Sequence, residues 1–91
     1  MADRTSNTTF YPSNDPSVIR GTINGQDTNT FVLPYGHPID VMISSQDKDD
    51  AIVSAEINSS TGLITIGCVD DGGNTISSNF DMVFKAILKT Q

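Results

Sequence analysis

One histidine, one cysteine and a set of aspartates are the residue types here from which a reactive centre could be built. His37 stands between Gly36 and Pro38. A single histidine cannot supply a His pair or a His-Cys-Cys set for zinc, and a nucleophilic triad would have to form around this one ring. No G-x-S-x-G sequence places a serine on an elbow, so His37 is read as a loop residue. Asp47, Asp49 and Asp50 form one acidic cluster, and Asp70 with Asp71 a second. Alternating oxygen ligands suit a hard cation, but the D-x-[DN]-x-[DN]-G spacing with a distal glutamate is missing. The only glutamate, Glu56, falls in an expected strand. A carboxylate pair for glycoside hydrolysis would want an aromatic floor for the sugar, and the chain has no Trp. The clusters are read as solvated turns. Cys68 shares an expected strand face with Ile64 and Ile66, which suits a small buried hydrophobe. No neighbouring cation or helix N-terminus is suggested that would make it a reactive thiol. Gly72-Gly73 lacks the following helix and lysine of a phosphate loop and reads as a turn. We therefore expect no catalytic, metal or cofactor site, and a protein that is not an enzyme.

The elements that could position any site are strands. Ser, Thr and Asn fill nearly a third of the 91 positions, while the residues that build exposed helical faces are scarce. All but one of the 11 acidic residues are Asp, which favours turns. At this length about 60% of the unfolded surface is buried, enough for one domain and no second. The net charge of −6, with Arg4, Arg20, Lys48, Lys85 and Lys89 as the only Lys and Arg, offers no basic stripe for a nucleic acid. Anionic membranes are disfavoured on the same ground. No apolar run approaches a membrane span, and Met1 to Thr5 carries no hydrophobic leader, so the chain is expected to be made and kept in the cytosol, or assembled there. With one cysteine there is no internal disulfide, and the sequons at Asn7 and Asn58 are read as chance.

Residues 1–17 are polar, hold two prolines, and show no apolar periodicity beyond Phe10-Tyr11; they are expected to form an extended N-terminal arm. Residues 18–91 are expected to form the domain. Val18 to Ile23 and Thr28 to Leu33 read as a hairpin around Asn24-Gly25, followed by a strand-breaking loop from Pro34 to Pro38. Ile39 to Ser44 places Ile39, Val41 and Ile43 on one face. Ala51 to Ile57 and Leu63 to Val69 read as strands about the turn Asn58–Gly62, with Val53, Ala55 and Ile57 sharing a face in the first. In Phe80 to Lys89 the residues Phe80, Met82, Phe84, Ala86 and Leu88 share one. The expected fold is all-β: a single small β-sandwich or jelly-roll-like barrel of six to seven strands with the arm attached.

Four apolar residues are candidates for partner binding. Phe10 and Tyr11 are large aromatics in a polar arm, where they would either fill a partner's pocket or lie on this chain's own sheet. Val83 and Ile87 sit on the back of a strand whose front already supplies core. They are ordinary strand formers on a solvated face, or another subunit or the arm covers them.

This small, acidic, Ser/Thr/Asn-rich β-domain carries a polar arm, the segment Asn58-Ser59-Ser60-Thr61-Gly62-Leu63-Ile64-Thr65-Ile66, and Asp70-Asp71-Gly72-Gly73-Asn74. In these it resembles the small virion proteins of tailed bacteriophages, closest in character to capsid decoration, or cement, proteins. The resemblance spans the whole chain in style and brings no motif from which site residues can be carried over. It implies a virion structural protein on the outer capsid surface, assembled in the host cytoplasm. Such a protein is often a homotrimer, binds the major capsid protein or another virion protein, and bridges neighbouring subunits. The net negative charge and a reaching arm suit that position. The alternatives are a tail or baseplate module recognising a host surface, and a small hydrolase or a carbohydrate- or calcium-binding domain using Asp47, Asp49, Asp70 and Asp71.

Overall fold

The structure, a computed structural model, describes residues 3–11, 14–15, 17–34 and 36–88. Within them lie a 3₁₀ turn, Thr5–Asn7, and the strands β1 (Thr8–Tyr11), β2 (Val18–Gly25), β3 (Thr30–Phe31), β4 (Pro38–Ser45), β5 (Ile52–Ile57), β6 (Ile64–Val69) and β7 (Phe80–Leu88). They form two antiparallel sheets, ordered β1-β2-β7-β4 and β3-β6-β5. The fold is all-β, and the two inward faces enclose one core.

The alternation in the sequence places that core. On β6, Ile64, Ile66 and Cys68 point inward and are buried, and on β7 so are Phe80, Met82, Phe84, Ala86 and Leu88. Ile19 and Ile23 of β2, Phe31 and Leu33 around β3, and Ile76 complete it. Phe84 joins the two layers: its ring lies 5.2 Å from that of Phe31 on the other sheet and 6.0 Å, edge to face, from that of Phe10. Gly21 stands between Phe10 and Phe84 in the ladder. A Cβ there would meet the Thr9 carbonyl oxygen and come 2.9 Å from Phe84 Cζ. The missing side chain lets the two rings close over the strand, as aromatics do over a glycine in a sheet.

Three expectations are corrected. The N-terminal segment, expected as an arm and not as part of a strand pair, forms one, and its own domain holds it. Thr8 to Tyr11 pair with Ile23 to Arg20, and Asp3 bridges Thr30. The Arg4 N–H donates to the Thr30 carbonyl, and the Val32 N–H to Thr5 Oγ1. The segment laces both sheets and covers the β3 edge, a common protection for an unpaired ladder. Among its described residues only Phe10 packs as an apolar side chain on the core, which is why hydrophobic period did not reveal it.

The Asn24-Gly25 hairpin does not form. Both residues continue β2, the turn falls at Gln26–Asn29, and the chain crosses to the other sheet, where β3 pairs with β6. Asn29, buried, accepts the Gln26 N–H on its side-chain oxygen at 2.6 Å, and Thr28 takes φ 63. An asparagine closing the turn from its far end replaces the two-residue hairpin. Finally, Ile39 was expected inside but is 63% exposed. A bulge between Pro38 and Asp40 shifts the register, so Pro38 takes the buried position while Val41 and Ile43 keep their inward side.

Candidate interaction surface

The residues first considered for chemistry are separated and occupied in turns. The exposed His37 ring stands over the β5–β6 turn, where a Cβ on Gly62 (φ 77) would lie 2.6 Å from its Cδ2. In that turn Asn58 Oδ1 accepts the N–H groups of Ser60 and Thr61. Asp70 and Asp71 follow the other end of β6, about 20 Å of strand away. Asp70 Oδ1 accepts the N–H groups of Gly72 and Asn74, each at 2.9 Å. These bonds, that of Asn74 foremost, hold its carboxyl below the usual range. Asp47 accepts the Asp81 N–H at 3.1 Å, and Asp50 pairs with Lys48 at 3.4 Å. Among the described residues no three His, Cys, Asp or Glu side chains converge as metal ligands would. Cys68 is buried, and burial first, then the charge of Asp27, push its thiol up to about 11.

The sandwich presents a different kind of site on the outer face of the four-stranded sheet. Strand alternation sends Thr9 and Tyr11 of β1, Arg20 and Thr22 of β2, Asp81, Val83, Lys85 and Ile87 of β7, and Met42 and Ser44 of β4 to that side. Ladder register aligns them in rows across the sheet. One row runs Tyr11, Arg20, Lys85, Met42, and the next Thr9, Thr22, Val83, Ser44. Beyond the first row lie Val18, Ile87 and Asp40. With strands about 4.8 Å apart the first row is roughly 15 Å long. Tyr11 is 49% and Met42 52% exposed at the two ends of the first row, and Val83, in the next row, is 36% exposed. A shallow open depression of about 330 Å³ crosses β2, β7 and β4, with Arg20, Met42, Ser44, Val83 and Lys85 among its lining residues.

Three of the four residues singled out from the sequence, Tyr11, Val83 and Ile87, therefore share this face. Phe10 does not: it turns inward and packs on Phe84. The structure adds Met42, Arg20 and Lys85. Arg20 and Lys85 are direct cross-strand neighbours, and among the described residues neither makes an ion pair. Like charges directly opposite in a sheet are unfavourable. On a chain of net charge −6 this is where two of its five Lys and Arg residues meet. No local pattern in the sequence reveals the pair, since residues 20 and 85 become neighbours only through non-local pairing. Asp27 was also missed: its carboxylate accepts the Cys68 N–H at 2.7 Å and extends the β3–β6 pairing where backbone partners run out. When the chain is compared with protein-family models, with curated proteins and with solved structures, none of the three gives a match.

Proposed function

We propose that the protein is a non-enzymatic structural module that docks through the outer face of its four-stranded sheet, and that it serves as a decoration protein on the outer surface of a phage capsid. The observation that carries the docking reading is the row Tyr11, Arg20, Lys85, Met42, in which exposed apolar groups flank two adjacent cations that make no ion pair among the described residues. Apolar anchors beside fixed charges are what a specific protein contact uses, the first for affinity and the second for orientation. The virion assignment is supported by the sequence resemblance and by the acidic balance, which suits a position away from packaged nucleic acid. The trimer that the resemblance implies would multiply a contact that is weak for one copy. By binding the assembled lattice and not free subunits, the protein would oppose disassembly by mass action.

The test is sedimentation of the purified protein with capsids of the same virus prepared without it. Saturable binding, with capsids that then resist heat or chelator longer, is the expected result. Equal resistance with and without the protein contradicts it. Binding to a host surface glycan or to tails instead of heads would turn the reading to a recognition module.

A further inference from the structure

We infer that the outer face of the four-stranded sheet recognises a carboxylate-bearing, apolar segment of a partner protein, with Arg20 and Lys85 taking the acidic groups and Tyr11, Met42 and Val83 the apolar ones. This rests on the reading of that face as the docking surface and names the chemistry of its occupant. The argument is charge complementarity. Arg20 and Lys85 are opposite one another on β2 and β7 and without carboxylate partners among the described residues, although the chain holds 11 acidic residues that could have supplied them. A local conflict of this kind in an otherwise consistent fold is what a functional surface produces.

Other occupants fit less well. A second copy stacked on the same face about a two-fold axis would set Arg20 and Lys85 against Arg20 and Lys85. A nucleic acid would meet two cations on a chain of net charge −6, too few to release counterions against the field of the whole molecule. A short acidic segment needs only those two charges, and the depression beside Met42 and Val83 receives an apolar side chain next to them.

The experiment is a titration of the isotope-labelled chain, at low salt, with the synthetic peptide Ac-Glu-Phe-Glu-NH2, followed by backbone amide shifts. Ac-Gln-Phe-Gln-NH2 and Ac-Lys-Phe-Lys-NH2 serve as controls. The net charge opposes background adsorption of an acidic peptide, so saturable binding reports on the face. Expected are saturable shifts around Arg20, Met42, Val83 and Lys85 with the glutamate peptide alone, weakened by salt. Lys85→Glu, and independently Arg20→Glu, should weaken binding about tenfold, since each replaces an attraction by a repulsion. Equal shifts from all three peptides, or none that saturate, overturn the inference. So does a solution mass above the monomer accompanied by amide protection on this face, which would make a second copy the occupant. Peptide binding without capsid binding removes the capsid reading and leaves this one, and the reverse outcome does the opposite.

Discussion

Phe10 and Tyr11 are neighbours in sequence that β1 sends to opposite sides of one sheet, so truncating each should have very unequal consequences for stability. Phe10→Ala removes a partly buried ring that packs edge to face on Phe84, 6.0 Å between centroids. Full burial would put the cost at about 3–5 kcal/mol. Partial burial brings it lower, to about 2 kcal/mol, and losing the aromatic pair adds about 0.5–1 kcal/mol. The total, about 2–3 kcal/mol, is a large share of the roughly 5–10 kcal/mol expected for a domain of this size. At about 4–8 °C per kcal/mol, melting should fall by roughly 10–20 °C. Tyr11→Ala removes a side chain that is 49% exposed on the outer face, and should cost below about 1 kcal/mol. Urea unfolding of the two variants beside the parent chain measures both numbers. If the m-values agree, the difference in midpoint is a difference in stability. Equal midpoints for the two variants, or a Phe10→Ala cost below about 0.5 kcal/mol, would refute the inward placement of Phe10.

Other expectations follow from the core and its seams. Gly21→Ala should destabilise by about 1–3 kcal/mol in the same urea assay, because its Cβ meets the Thr9 carbonyl and Phe84 and must push β1 or the ring aside. Asp27→Ala leaves the Cys68 N–H without its acceptor and should cost about 1–3 kcal/mol, while Asp27→Asn, which keeps an oxygen there, should cost less. Cys68 should resist thiol reagents near neutral pH until the chain unfolds, read as labelling that tracks the urea transition. Its thiol ionises at about 11 when folded against an ordinary 9.0, so its ionisation favours the unfolded chain. That contribution to stability is whole below pH 9 and is lost as pH rises toward about 11, a fall that Cys68→Ala should lack.

The sequence was most legible where burial on one face imposes period two. Leu63 to Val69 and Phe80 to Leu88 could be oriented residue by residue, because Ile64, Ile66 and Cys68, and alternate residues from Phe80 to Leu88, have their inward side set by the pleat. Three kinds of feature lay outside that signal. β1 has too few apolar residues to show a period, and is held by ladder bonds and the Phe10–Phe84 contact. Asn24-Gly25 carries strong local turn chemistry, yet tertiary pairing of β2 with β7 runs through both residues and the turn settles on Asn29. The bulge at Ile39 shifts the register, and such shifts are settled by the neighbouring strand. The candidate surface was legible in the same measure. Val83 and Ile87 stood out as apolar residues on the back of a core strand, whereas the Arg20–Lys85 pair depends on strand order that no local pattern encodes.

The docking claim is tested most directly by measuring, for Lys85→Glu, stability and capsid binding together. Placing a carboxylate opposite Arg20 turns a like-charged cross-strand pair into an opposite one and should stabilise the fold by about 0.2–1 kcal/mol. The same change removes a cation from the docking row, so binding to capsids should weaken while urea resistance holds or rises. Capsid binding unchanged from the parent chain, with the variant folded, would contradict the account.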